Sequence, residues 1–234
     1  MAAFERHRIM SMRGSSVLER RYSALLFDMD GTILNSIASA ERIWGRWAQR
    51  HGLDVEIFVP TVHGARAFDT IARLALPGVD PQTEAQLITQ AEVADVDGIV
   101  EVPGAAAFLR TLPKQSWAIV TSAPKILAVR RIEAAGIPMP AILVTSEDVS
   151  EGKPNPACYL LAAQKLGVEA TECLVFEDAT AGILAGEAAG ADIIVVTATH
   201  SHSMTAQHAV ISDYRTLLAN VDEHGFIALE ERDI

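Results

Sequence analysis

Ala24-Leu25-Leu26-Phe27-Asp28-Met29-Asp30-Gly31-Thr32 is an apolar run that ends in two carboxylates one residue apart, followed by Gly-Thr. A short continuous apolar run such as Ala24–Phe27 predicts a strand buried on both faces, the kind found inside parallel sheets. Such a strand ends at the carboxyl edge of its sheet, where open α/β proteins bind their ligands. Asp28 and Asp30 therefore stand where chemistry takes place. Left unpaired they would repel each other and resist desolvation, and a cation such as Mg²⁺ is the natural compensation.

Downstream the rhythm is regular. Residues 117–121, 141–145, 173–177 and 193–197 predict strands, separated by helices over 125–135, 156–166 and 182–189 that stop at Gly136, Gly167 and Gly190. Continuous apolar strands alternating with helices predict a doubly wound parallel sheet. Between the first strand and Val100 only helical patterns occur: 37–51, with Ile37, Ala40, Trp44 and Trp47/Ala48 at helical spacing, then 61–76 ahead of Pro77-Gly78, then 81–93 after Asp80. Pro103-Gly104 opens one more helix, 105–112. The fold class expected is α/β, a doubly wound parallel sheet (residues 22–36 and 101–234) with an inserted all-helical unit (37–100) and an N-terminal tail (1–21).

The 234 residues are half hydrophobic, and no apolar run approaches the ~20 residues of a membrane span. A formal net charge of −11 argues against nucleic acid as a partner, because phosphate backbones select basic surfaces. It also means that an anionic substrate needs a local positive focus. Cys158 and Cys173 are expected as buried thiols in a reducing compartment. The first 21 residues carry Arg6, Arg8, Arg13, Arg20 and Arg21 without an apolar segment, so they do not form a secretory signal. A cytoplasmic protein, monomeric or weakly dimeric, is expected.

Four polar segments follow strand ends. They are Asp28-Met29-Asp30-Gly31-Thr32, Thr121-Ser122, Glu151-Gly152-Lys153-Pro154 and Glu177-Asp178. In a parallel sheet these carboxyl ends share one edge, so residues distant in sequence converge. Such a set suits phosphoryl transfer. A carboxylate nucleophile splits a slow displacement into two steps, and a second carboxyl moves the proton. Hydroxyl groups, backbone N–H groups and a lysine hold the phosphoryl oxygens.

These residues resemble the four signature motifs of the haloacid dehalogenase-like hydrolase superfamily, from Ala24 to about Asp213. The resemblance implies a Rossmann-like core with a mobile helical cap. It implies Asp28 as nucleophile and Asp30 as general acid/base. Thr121, Ser122 and Lys153 would bind phosphate, and Mg²⁺ would be held by Asp28, the backbone carbonyl of Asp30 and Asp178, with Glu177 as an extra ligand. Within the superfamily, the stretches 41–53, Val62-His63-Gly64-Ala65-Arg66, 149–156 and 175–182 resemble the sugar phosphatase, glycerol-3-phosphatase and 2-deoxyglucose-6-phosphate phosphatase group. The activity implied is Mg²⁺-dependent hydrolysis of small phosphorylated sugars or polyols through an aspartyl phosphate. The alternative is a phosphosugar mutase of the β-phosphoglucomutase type, whose first-cap-helix histidine is matched here by Ala40. Asn35 stands where the family often has Asp, which removes a charge near the mouth of the site.

The resemblance places His63 and Arg66 of the cap over the site as substrate contacts. Set against this, Arg66 and Asp69 are spaced to pair on a helix. Trp44 and Trp47 are expected as packing residues of the insertion. His200, His202 and His208 lack an acidic or thiol partner nearby and are expected in a solvated loop.

Overall fold

A computed structural model describes residues 17–199 and 207–232. Its centre is a six-stranded sheet with every neighbouring pair parallel, in the order β6-β5-β2-β7-β8-β9. The strands are β2 (Ala24–Phe27), β5 (Trp117–Val120), β6 (Ile142–Val144), β7 (Cys173–Glu177), β8 (Asp192–Val196) and β9 (Ala209–Ile211). Alternate residues of each strand enter opposite layers, as the pleat requires. Leu25, Phe27, Trp117, Ile119, Leu174 and Phe176 face a layer containing α5 (Ala105–Thr111) and α6 (Lys125–Ala134). Ala24, Leu26, Ala118, Val120, Cys173 and Val175 face α7 (Ala157–Leu166) and α8 (Thr180–Ala189). Helices on both faces explain why these strands are apolar throughout. Phe27 stacks on Phe176 with ring centroids 4.6 Å apart, immediately below the two carboxylates.

The insertion leaves the sheet at β3 (Leu34–Asn35) and returns at β4 (Val100–Glu101), the two paired antiparallel as a short ribbon. Between them lie α1 (Ile37–Arg50), α2 (Val55–Phe58), α3 (Ala67–Leu74) and α4 (Pro81–Ala94). They enclose a separate apolar cluster containing Trp44, Trp47, Phe58, Ile71 and Ile88, so both tryptophans pack as expected. Asn35 Oδ1 accepts the Ile37 amide at 3.0 Å and thereby caps the start of α1. The helix expected over 61–76 is shorter, because Gly64 at φ +75° turns the chain and Arg66 is extended, so α3 starts only at Ala67.

A second sheet, β1 (Arg21–Tyr22), β11 (Ile227–Glu231) and β10 (Leu217–Val221), is antiparallel and was not evident in the sequence. Leu217, Ile227 and Leu229 of this sheet join the layer of Phe27 and Phe176. Residues 17–21, expected as part of a tail, are docked: Val17 is 1% exposed and Arg20 forms an ion pair with Asp192. Residues 1–16 of that expected tail, and His200 and His202, lie outside the described residues. His208 Nε2 lies 3.0 Å from Glu187 Oε1. Both cysteines are buried free thiols. No helix among the described residues is long and apolar enough to cross a membrane.

Candidate active site

The two aspartates are one residue apart yet occupy different surroundings, and the backbone explains why. Asp28 still belongs to the sheet: its amide donates to the Phe176 carbonyl at 3.0 Å. The chain then turns tightly, with the Met29 carbonyl accepting the Ile33 and Leu34 amides at 3.0 and 3.1 Å and Gly31 at φ +89°. A Cβ at Gly31 would stand 2.0 Å from Asp178 Oδ2, so glycine is required for both conformation and space. The turn leaves Asp28 over the sheet and swings Asp30 toward the ribbon, where it bridges to Leu34.

Asp28, Glu177 and Asp178 are all buried, and one oxygen from each lies within 4.8 Å of the others. Lys153 Nζ reaches into this cluster, donating to Asp28 Oδ1 at 2.5 Å, Glu177 Oε1 at 2.7 Å and the Val120 carbonyl at 3.2 Å. Glu177 Oε1 also accepts Tyr159 Oη at 2.9 Å, while Oε2 accepts the amides of Asp178 and Ala179 at 2.9 and 3.0 Å. Glu177 folds back in this way only because residue 182 is glycine, where a Cβ would stand 1.5 Å from Oε1. Thr32 Oγ1 donates to Asp178 Oδ1 at 3.0 Å. Burial raises the pKa of Asp28, against the opposing pull of Lys153, and the Glu177 charge raises it further. Burial, Glu177 and Asp28 likewise hold Asp178 well above the ordinary carboxylate range. Burial works to lower Lys153, but Asp28 and Glu177 outweigh it and keep the ammonium charged. Three acids against one buried lysine leave an excess of negative charge, and hard oxygen donors in such a cluster suit a divalent cation.

Asp30 faces the other way. Its Oδ1 accepts Ser36 Oγ at 2.6 Å and forms an ion pair with Arg131 Nη1 at 2.9 Å. Arg131 Nη2 donates to Glu92 Oε1 at 3.0 Å. Arg131 belongs to α6 of the core and Glu92 to α4 of the insertion, and their side chains are only 6% and 8% exposed. Burial raises the Glu92 pKa against the pull of Arg131. Arg131 Nε is buried and has no hydrogen-bond partner among the described residues.

A cavity of 70 Å³ lies between insertion and core, lined among others by Asp28, Asp30, His63, Glu92, Thr121 and Arg131. Thr121 and Ser122 follow β5 at the same sheet edge. Thr121 Oγ1 accepts the Ala123 amide at 3.1 Å, and Ser122 Oγ donates to the Gly64 carbonyl of the insertion at 2.9 Å. His63 lines the cavity, and burial lowers its pKa. Arg66 does not line it. Its guanidinium grips Asp69 at 2.5 and 3.0 Å, and Nη1 reaches the Val149 and Ser150 carbonyls at 3.3 and 3.1 Å, in a neighbouring cleft.

The structure thus gathers Asp28, Lys153, Glu177 and Asp178 in contact, sets Asp30 beside them, and lines the cavity with Thr121, Ser122 and His63. Sequence reasoning missed Ser36, Glu92, Arg131 and Tyr159. Charged residues on otherwise buried helix faces were the available signal. Arg131 falls between Leu127, Ala128 and Ile132, and Glu92 lies four residues after Ile88.

Residues 22–190 match the family described as haloacid dehalogenase-like hydrolase. The chain is 41% identical over 182 residues to hexitol phosphatase A of Escherichia coli (strain K12), covering 76% of this chain and 84% of that protein. It is 36% identical over 193 residues to glycerol-1-phosphate phosphohydrolase 2 of Saccharomyces cerevisiae, covering 78% of this chain and 77% of the yeast protein. A solved hydrolase from Pseudomonas syringae is similar with a TM-score of 0.66 at 28% identity, covering 75% of this chain and 84% of that one. The family match takes in the first sheet strand, the whole insertion and the buried acidic cluster, and the chain belongs to the haloacid dehalogenase-like hydrolases.

Proposed function

We propose that this chain is a Mg²⁺-dependent phosphatase that hydrolyses small phosphorylated sugars or polyols through an aspartyl phosphate. The observation that carries the proposal is the division between the two aspartates: Asp28 is buried against a charged lysine, while Asp30 opens onto the cavity under the insertion. Asp28 attacks phosphorus, and the bond from phosphorus to the substrate oxygen breaks. Asp30 gives that oxygen its proton, then takes one from the water that attacks the aspartyl phosphate and frees Asp28 and inorganic phosphate. Lys153 and the Thr121 segment hold the phosphoryl oxygens.

Asp28, Asp178 and the Asp30 carbonyl would hold Mg²⁺. Glu177 already accepts four hydrogen bonds, the full capacity of a carboxylate, so in this proposal it anchors Lys153 and adds charge to the cluster. When bound, the ion supplies neutralising charge at the phosphoryl oxygens.

The insertion serves as a cap. It encloses a 70 Å³ space whose wall sets Asp30, His63, Glu92 and Arg131 among apolar residues such as Trp44 and Leu127, which suits a small leaving group that carries hydroxyls. Relatives named for hexitol and glycerol phosphates support the same substrate class. The net charge of −11 accords with a cytoplasmic metabolite enzyme that does not bind nucleic acid. A panel of sugar and polyol phosphates with Mg²⁺, assayed for released phosphate, tests the proposal. Release is expected from the wild type and none from Asp28→Asn. Recovery of an isomerised sugar phosphate without free phosphate would establish the mutase instead.

A further inference from the structure

Two buried charges outside the acidic cluster have no part in the scheme above. Arg131 and Glu92 come from different units of the fold and meet at 3.0 Å, with side chains 6% and 8% exposed. A buried ion pair adds little net stability over a well-packed apolar pair, so its presence in a protein interior calls for another use. The other end of Arg131 supplies one: Nη1 lies 2.9 Å from Asp30 Oδ1. The rigid guanidinium fork fixes the angle between its two partners, which a flexible lysine ammonium would not do. Ser36, the residue that enters α1, holds the same oxygen at 2.6 Å. Asp30 Oδ2 has no hydrogen bond among the described residues and is left for the substrate.

We infer that Arg131 is the positioning residue of the acid/base Asp30, and that Glu92 of the insertion sets Arg131, so that Asp30 is aligned only when the insertion is seated. The inference rests on Asp30 acting as the acid/base. Proton delivery tolerates little displacement: a misplacement of about 1 Å can cost about 10²-fold in rate. With the insertion lifted, Glu92 leaves with α4, and Arg131, still beside Asp30, loses the partner that fixes the angle of its fork.

The test uses two small substrates whose leaving groups make opposite demands. Glycerol phosphate expels an alkoxide and needs a proton from Asp30; acetyl phosphate expels acetate and does not. The constant kcat/KM reports the steps up to departure of the leaving group for both. Asp30→Asn sets the scale, with a loss of about 10²-fold or more on glycerol phosphate and little loss on acetyl phosphate. Glu92→Gln is expected to show the same asymmetry at about tenfold. Arg131→Met leaves Glu92 unpaired and threatens folding, so the double variant Arg131→Met/Glu92→Leu accompanies it. The double variant is expected to regain wild-type melting temperature without regaining activity on glycerol phosphate.

Equal losses on both substrates in Glu92→Gln, or recovery of both stability and glycerol phosphate activity in the double variant, would reduce the pair to a structural tie and overturn the inference. A symmetric loss in Asp30→Asn, or no hydrolysis by the wild type, would instead overturn the underlying assignment of Asp30 or of the phosphatase.

Discussion

Gly182→Ala puts the site's geometry at risk through a single methyl group. The added Cβ would stand 1.5 Å from Glu177 Oε1 and 2.0 Å from its carboxyl carbon. Ordinary carbon–oxygen contacts are about 3.3–3.6 Å, so the carboxylate must move by about 2 Å or the start of α8 must shift by as much. Glu177 holds Lys153 at 2.7 Å and Tyr159 at 2.9 Å, and a displacement of that size breaks both bonds. Overpacking costs about 1–3 kcal/mol and a buried charge stripped of its partner about 3–5 kcal/mol, with partial relaxation offsetting some of each. A net loss of about 4 kcal/mol is expected, which for a chain of this size lowers Tm by roughly 8–16 °C. Because Lys153 also holds Asp28, kcat should fall by about 10²-fold or more. Gly186→Ala, one turn further along α8, is the control. Its Cβ would meet the terminal Cδ1 of Ile193 at 2.5 Å, a side-chain end that can rotate away, so about 1 kcal/mol and little activity should be lost. Thermal unfolding and phosphate release on both variants decide the matter. A Gly182→Ala protein that melts within about 2 °C of wild type and turns over normally would refute the fold-back of Glu177 onto Lys153.

Gly45→Ala, inside α1, should stabilise by about 0.5–1 kcal/mol in chemical denaturation, since its Cβ would meet Val55 Cγ1 at a comfortable 3.6 Å. Arg66→Ala removes the contacts to the Val149 and Ser150 carbonyls that tie the insertion to the loop carrying Lys153. It should raise KM by about three- to tenfold with a smaller change in kcat, and unchanged kinetics would leave Arg66 as no more than a local partner of Asp69. Asp148 accepts the Thr145 amide and hydroxyl, each at 2.9 Å, and the amide bond foremost holds its pKa below the usual value. A carboxyl depressed in the folded state stabilises above its unfolded pKa of about 3.9 and loses that contribution as pH falls through the lower folded value. The stability gap between wild type and Asp148→Asn should therefore be open at neutral pH and close below about pH 4, and a gap independent of pH would contradict the assignment.

What the sequence disclosed and what it withheld follow from the range over which each feature is encoded. Ala24–Phe27 and Cys173–Glu177 are legible because a strand covered by helices on both faces must be apolar throughout. The strands Leu217–Val221 and Ile227–Glu231 escape the same test, since they have one covered face and one wet one and mix buried Leu217, Ile227 and Leu229 with exposed neighbours. Their signal was the turn between them, where Asp222 Oδ1 accepts the His224 and Phe226 amides and Gly225 sits at φ +87°. The acidic cluster was legible because each member ends a strand of the same parallel sheet. The bond between Glu92 and Arg131 was not, because each side chain belongs to a different helix and 39 residues separate them.

The division of labour proposed for Asp28 and Asp30 follows from where the insertion sits in the chain. Asp28 takes its position from β2 and β7, which are tied into both core layers and have no freedom to follow the insertion. Asp30 lies past the Met29 turn, bridged to Leu34 and bonded to Ser36, on the segment that hands the chain from the sheet to α1. A hinge motion of the ribbon β3–β4 would therefore act on Asp30 directly and on Asp28 hardly at all. A nucleophile gains from a fixed position, since its oxygen must lie in line with the leaving group whichever substrate is present. An acid/base that serves first the substrate oxygen and then a water gains from being correctly set only when the cavity is closed. One residue of sequence separates the two roles proposed here, and the turn at Gly31 is enough to leave one carboxylate on the sheet and the other beside the ribbon.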